Sequence, residues 1–115
     1  MSERRRTKRK YLLYYGRVYD ETEQKQLGYL VDITEEGFML LSDNPIPVGA
    51  EHRIKLEVTT DIAPSPFIRF KAKSVWSEPD IDPKRYNNGF VITELDPADK
   101  GVIDMIIKEY GFRDN

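Results

Sequence analysis

Arginine side chains are concentrated at the amino end of this sequence, where SERRRTKRK precedes the aromatic run YLLYY. Arg4, Arg5, Arg6 and Arg9 supply most of the six positive charges in the first ten residues, which contain one acidic residue. A guanidinium can bind a phosphate or the O6/N7 edge of guanine through two hydrogen bonds, and it can stack on a base. A basic terminus is more often a solvated tail. Here, however, the arginines directly precede a predicted strand, which favours an arm that binds a ligand.

A second candidate stretch is DITEEG, residues 32–37. Asp32 offers a carboxylate acceptor to the N–H edge of a purine, Thr34 offers a hydroxyl, and Gly37 lets a ligand approach the backbone. The same residues also suit a plain hairpin, in which Gly37 takes a positive φ or forms a bulge and the two polar side chains bond the local backbone. Together with the arginines, the stretch favours a ligand that carries both phosphates and guanine edges.

Strands must position these residues. Six segments have the composition or the alternation of β-strands, namely 11–19, 27–33, 37–41, 52–60, 67–76 and 89–95. The polar segment 77–88 is predicted to be a loop. Helical spacing of apolar residues, with Asp96 as the N-cap and Pro97 in the first position, predicts a helix over 97–110. The expected fold is mainly β, a six-stranded antiparallel β-barrel with a C-terminal α-helix. Residues 1–10 are predicted to be a flexible arm and 11–115 a single domain.

Composition excludes several classes of function. The chain has no cysteine and a single histidine, His52, so we find no nucleophile–base pair, metal cluster or phosphate-binding glycine loop and expect no enzyme and no cofactor. Residues 11–115 carry 12 basic against 19 acidic groups, which disfavours a surface that coats a nucleic-acid polymer. No apolar run approaches the roughly 20 residues of a membrane span, and the arm lacks the apolar part of a signal peptide, so we expect a cytoplasmic protein without membrane insertion.

The order of these features resembles the PilZ domain, a family of bacterial receptors for the second messenger cyclic di-GMP. An R-x-x-x-R element, Arg5 to Arg9, lies just before a strand, and a D-x-[S/T]-x-x-G element, Asp32 to Gly37, follows some two dozen residues later. The resemblance spans nearly the whole chain, because it also includes the strand of Trp76, the Gly89-Phe90 pair and the terminal helix. It implies a PilZ-like split barrel.

The resemblance also implies roles for individual residues. Arg5 and Arg9 match the paired arginines that grip the phosphates and guanines of the ligand, and the second motif matches the one that closes on a guanine from the barrel surface. Thr34 stands where the family more often has serine; it keeps the hydroxyl but adds a methyl group and restricts χ1. The further residues that the resemblance places around the ligand are Arg4, Arg6, Asp32 and Gly37.

Trp76 is a further candidate, because an indole can stack on a base, although a tryptophan that ends a strand more often packs in the core or at the rim. The resemblance implies a non-enzymatic receptor in which cyclic di-GMP orders the arm and so signals to a downstream protein partner. Two alternatives stay open: a PilZ-like interaction module that binds no nucleotide, and a small barrel that binds single-stranded nucleic acid. Ligand stoichiometry and homodimer formation are also open.

Overall fold

The computed structural model describes residues 16–58, 63 and 65–110, without the side chain of residue 110. The arginine arm, residues 11–15 of the first predicted strand and the end of the fourth predicted strand lie outside the described residues. The predictions for Arg4, Arg5, Arg6 and Arg9 therefore have no structural counterpart here.

Six strands and one helix form the described chain. The strands close into an antiparallel barrel in the order β1-β2-β3-β6-β5-β4, with β4 paired back to β1. The predicted mainly-β, six-stranded barrel with a C-terminal helix is confirmed. The helix begins where Asp96 and Pro97 predict, with the Lys100 amide donating to the Asp96 carbonyl at 2.9 Å. The elements are β1 (Arg17–Asp20), β2 (Lys25–Ile33), β3 (Gly37–Ser42), β4 (Glu51–Glu57), β5 (Phe67–Pro79), β6 (Tyr86–Glu94) and α1 (Pro97–Tyr110).

The barrel interior is filled by apolar side chains from alternate positions of the strands, as a half-buried antiparallel sheet requires. Phe38 on β3 stacks on Phe90 with ring centroids 4.9 Å apart, and it meets Phe70 edge-on at 5.7 Å. Helix α1 adds Ile103 and Ile106, both fully buried, to the same core. Because the core takes the inward positions, the outward positions of the strands are available for other chemistry.

The prediction of a loop over residues 77–88 is wrong, because the loop in the structure is shorter. Strand β5 continues to Pro79 and β6 already begins at Tyr86, so the connecting loop covers only residues 80–85. One inward pair of this hairpin is polar: Ser77 Oγ donates to Asn88 Oδ1 at 2.7 Å. A polar pair of this kind interrupts the apolar alternation in the sequence, which is why the pattern predicted a loop.

A buried carboxylate–imidazole pair joins the end of β1 to β4. Asp20 is 4% exposed, and its Oδ2 lies 2.9 Å from His52 Nδ1. Its other oxygen accepts hydrogen bonds from the backbone amides of Thr22 at 2.9 Å and Glu23 at 3.3 Å. Through these hydrogen bonds, Asp20 holds both the turn after β1 and the start of β4.

Asp20 is expected to make the fold less stable in acid. Burial alone would raise its pKa, but the hydrogen bonds from His52, Glu23 and Thr22 outweigh burial and leave the pKa of Asp20 below its ordinary value. A carboxyl of this kind contributes its full stability above its unfolded-state pKa of about 3.9 and loses that contribution as pH falls through the folded-state value. Denaturant unfolding from about pH 6 down to about pH 3 measures the loss.

Asp20→Asn is the matched control for this pH dependence, because it keeps the size of the side chain and an oxygen acceptor for the turn amides. The variant should be less stable at neutral pH and should lose less stability on acidification than the wild type. Identical acid profiles for the two proteins would contradict the assignment.

Candidate functional site

The hairpin between β2 and β3 contains the DITEEG residues, and Thr34 holds its turn. The Thr34 amide donates to the Gly37 carbonyl at 2.8 Å. The Thr34 hydroxyl oxygen accepts from the amides of Glu36 at 3.1 Å and Gly37 at 3.2 Å. A serine hydroxyl could make the same bonds, so the turn itself does not distinguish threonine from serine at this position. Threonine therefore preserves the shape of the loop.

Gly37 is required by close packing of the backbone and not by a positive φ. Among the described residues, only Gly49 and Gln24 have φ in the left-handed region. A Cβ atom on Gly37 would lie 2.3 Å from the carbonyl oxygen of Phe90, and the neighbouring Glu36 carbonyl accepts from the Ile92 amide at 2.8 Å. The expectation that Gly37 takes a positive φ or forms a bulge is wrong, because the glycine instead lets the start of β3 press against β6. The register shift lies in β2, between Leu30 and Asp32.

Gly37→Ala is expected to lower the free energy of unfolding by at least about 1 kcal/mol, because the new Cβ meets backbone that cannot move aside without disturbing the β3–β6 pairing. Urea unfolding would measure the change. Gly101→Ala is the control: a Cβ there meets nothing within 4 Å, and alanine favours the helix. A Gly37 variant as stable as the wild type would show that the strands can shift at no cost.

One cross-strand row on the outer face of the barrel leads from the hairpin to Trp76. Asp32 on β2 is opposite Met39 on β3, Met39 is opposite Gly89 on β6, and Gly89 is opposite Trp76 on β5. A Cβ on Gly89 would lie 2.1 Å from Trp76 Nε1, so the indole covers the glycine. Trp76 is half-buried and packs on the barrel surface, not in its core. The row therefore presents a carboxylate, a thioether and an indole on one surface.

The residues of this row are neighbours because of the register between the strands. Met39 is absent from the residues that the sequence singled out, because its position beside Asp32 depends on the bulge in β2. Three strand spacings separate Asp32 from Trp76, or about 14 Å between backbones. The indole reduces this separation because it covers Gly89 of β6. The platform, as we call Asp32, Met39, Gly89 and Trp76, has the dimensions of a small ligand.

The chain enters the described region beside the platform. The Leu30 amide donates to the Gly16 carbonyl at 2.8 Å, and Arg17 is opposite Tyr29. Because β1 is antiparallel to β2, Gly16 lies at the end of β1 toward which β2 runs on to Asp32. The described chain therefore begins near the platform.

The charge of the hairpin is negative. Asp32, Glu35 and Glu36 lie within five residues of each other, and Lys100 of α1 approaches Glu35 with a 3.6 Å Nζ–Oε1 distance. An anionic ligand therefore gains little from the hairpin itself. Cations from elsewhere in the chain are required for a phosphate to lie on this surface.

Three further features of the described residues lie outside the platform. No group of three or more His, Asp or Glu side chains in the described ranges could hold a metal ion. A groove of about 730 Å³ opens at the other end of β2, between Lys25–Tyr29 and the β3–β4 connection, with His52 in its lining. None of the described helices has both the length and the apolar character to cross a bilayer.

Comparison with known proteins gives a family and a structural neighbour. The family model of the PilZ domain matches residues 3–109. No curated protein matches the chain significantly. Among solved structures, the Bacillus subtilis inhibitor of motility (MotI/DgrA) is similar, with a TM-score of 0.69 and 14% sequence identity. The superposition covers 89% of this chain and 50% of the other, so this chain spans about half the length of that neighbour. At this identity the likeness concerns the fold.

Proposed function

The chain belongs to the PilZ domain family, and from this premise we propose that it is a non-enzymatic receptor that binds cyclic di-GMP. The ligand would lie on the platform, with a guanine edge at the carboxylate of Asp32 and the arm folded over the phosphates. Cyclic di-GMP is a bacterial second messenger, so the proposal places the protein in a bacterial cytoplasm.

This proposal rests on one observation: the described chain begins close to the platform. Gly16 is bonded to Leu30, two residues before Asp32. Arg9 precedes Gly16 by seven residues, so a chain of that length would allow its guanidinium group to reach the platform. The two halves have opposite charge: the first ten residues contain six cations, and the hairpin contains three carboxylates. A ligand with two phosphates and two guanines can use both halves, because it offers anions to the arm and N–H donors to Asp32.

Ligand binding would order the arm. Six cations repel each other when no anion is near, and the phosphates of the ligand remove this repulsion while the guanidinium groups gain charge-assisted hydrogen bonds. Part of that free energy offsets the entropy lost when the arm becomes ordered. The repositioned arm would change the surface that a partner protein contacts, which is how the binding event would be transmitted.

Trp76 would form the far side of the site in this proposal. Its indole lies over Gly89 in the same row as Asp32 and presents an aromatic face to a ligand on the barrel surface. Arg5 and Arg9 would grip the phosphates and the guanine edges, with Arg4 and Arg6 beside them. Thr34 and Gly37 would act through the shape of the hairpin, since both are engaged with the backbone there.

Tryptophan fluorescence tests the location of the site, because Trp76 is the single tryptophan of the chain. Titration with cyclic di-GMP should change the Trp76 emission in a saturable way, and GTP at the same concentration should not. Asp32→Ala should remove the response at ligand concentrations that saturate the wild type. Binding by calorimetry with no change in Trp76 emission would contradict placement of the ligand on the platform.

A second candidate is a PilZ-like interaction module that binds a protein and no nucleotide. The role of the Thr34 hydroxyl favours it, because that group already has its bonds within the turn. The structural neighbour is described as an inhibitor of motility. This candidate predicts a constitutive partner complex that cyclic di-GMP does not alter.

A further inference from the structure

The outer face of β4 and β5 carries a block of cations that the proposed receptor function does not use. Two successive outward positions of β4 and three of β5 are basic, while the inward positions between them are buried and apolar. Strands β4 and β5 lie on the other side of the barrel order from β2 and β3. We call this set the basic face: Arg53, Lys55, Arg69, Lys71 and Lys73.

The register places like charges directly opposite each other. Arg53 on β4 is the cross-strand partner of Lys71 on β5, and Lys55 is the partner of Arg69. Directly opposed like charges destabilise an antiparallel pair, and the two pairs here are successive pairs on one face. When a sheet keeps two successive like-charge pairs although they lower its stability, the pairs typically belong to a binding surface.

The cations are only partly neutralised within the protein. Arg69 Nε lies 2.6 Å from Glu21 Oε2, and Lys71 Nζ lies 3.3 Å from Glu94 Oε1. Within the part of the chain that the structure describes, the side chains of Arg53 and Lys73 form no ion pair or hydrogen bond.

Aromatic rings extend the basic face at one end. The ammonium group of Lys55 lies 4.6 Å from the ring centroid of Phe67 and 5.3 Å from that of Tyr19. These rings hold the Lys55 side chain against the sheet and leave the ammonium group able to contact an anion.

The basic face is exceptional on an acidic body. The described residues contain 11 Lys and Arg against 17 Asp and Glu, and five of those cations belong to this face. A cavity of about 160 Å³ opens within the face, and cations and carboxylates both line it: Arg53, Arg69, Lys71, Glu21, Glu94 and Asp96. The carboxylates stand at the borders of the face, toward the β1 turn and the end of β6. The five cations therefore form a narrow track along the two strands, with Glu51 opposite Lys73 at one end.

We propose that the basic face binds an extended acidic segment of a partner protein, with carboxylates at alternate positions. Side chains on one face of an extended chain recur about every 6.8 Å, which is also the spacing of successive outward residues along β5. Alternate acidic residues of the partner would thus meet Arg69, Lys71 and Lys73 in register. The opposed cations gain counterions, which removes their mutual repulsion.

The shape of the track selects this partner over other polyanions. An anionic bilayer is a plane and would also contact Glu21 and Glu94 at the borders, which repel it. A nucleic-acid backbone is wider than two strands and needs a longer positive groove than the basic face offers. A single extended peptide matches the width of the track.

Fluorescence anisotropy of the full chain with a labelled peptide tests the proposal. The probe is a peptide in which glutamate alternates with threonine, and the comparison peptide has the same composition with its glutamates in one block. We expect the alternating peptide to bind about fivefold or more tightly than the block peptide. The double substitution Lys55→Gln and Lys71→Gln should weaken the alternating peptide about tenfold, with thermal unfolding confirming the fold.

The matched control is the double substitution Lys84→Gln and Lys108→Gln, which removes the same charge away from the basic face. It should change the affinity less than about twofold. Equal loss in the two double variants would overturn the proposal, because net charge or the arginine arm would then explain binding. Equal affinity for the two peptides would also overturn it. Vesicles rich in anionic lipid that compete with the peptide at the basic face would assign the surface to membranes instead.

Discussion

Asn88→Ala is expected to lower the free energy of unfolding by about 3 kcal/mol. Asn88 is fully buried on β6, where its amide group donates to Ser42 Oγ at 2.8 Å and its oxygen accepts from Ser77 Oγ at 2.7 Å. The same oxygen accepts from the Ile46 amide at 3.4 Å. Removal of this side chain leaves polar groups of β3, β5 and the β3–β4 connection buried without their partner.

Urea unfolding followed by circular dichroism would measure this change. Asn87→Ala is the matched control, since the adjacent asparagine is only partly buried and bonds Asp80 at 2.9 Å in the loop of the same hairpin. The control should lose less than about 1 kcal/mol. If Asn88→Ala were as stable as the control, water would be replacing the lost bonds and the network would not hold the hairpin to the barrel.

Arg9→Ala and Asp32→Ala are each expected to weaken cyclic di-GMP binding about 100-fold. Thermal unfolding of each variant would verify that the barrel is still folded. Arg9 would lose charge-assisted bonds to the ligand, and Asp32 would lose the acceptor for a guanine edge. Thr34→Ser should bind as the wild type does, because serine can make the hydroxyl bonds that hold the turn.

Glu35→Ala is the matched control, because it removes a carboxylate from the same hairpin at a position that contacts Lys100 instead of the platform. Its affinity should equal that of the wild type or rise slightly, since one negative charge near the phosphates is gone. Comparable losses in Glu35→Ala and Asp32→Ala would mean that the hairpin acts through its overall shape and not through the Asp32 carboxylate.

Much of the fold could be predicted from the sequence, because alternation and turn chemistry are local signals. In β4, Ile54 and Leu56 alternate with charged residues, and the structure buries these two side chains fully. The start of α1 was equally predictable from Asp96 and Pro97. The β5–β6 hairpin was not predictable in the same way. Its inward pair, Ser77 and Asn88, is polar, and each side chain can be buried only because the other supplies a hydrogen bond.

In the candidate site, too, the sequence predicts some residues and misses those that depend on strand register. The sequence singled out Asp32, Thr34 and Gly37, but for Gly37 it predicted a positive φ or a bulge where the structure shows close packing against Phe90. Met39 and the contact of Trp76 with Gly89 depend on a bulge in β2 and another in β5, and no single-strand pattern predicts register. The roles of the arginines stay predictions, because these residues lie outside the described ranges.

Calorimetric titration of the full chain with cyclic di-GMP decides whether the barrel is a receptor for this nucleotide. We expect a saturable heat of binding for the wild type, with a dissociation constant in the micromolar range or below, and little or no heat for Arg9→Ala and Asp32→Ala at the same concentrations. A wild-type protein that gives no heat at high micromolar ligand would rule out the receptor function and leave the interaction module as the function to test.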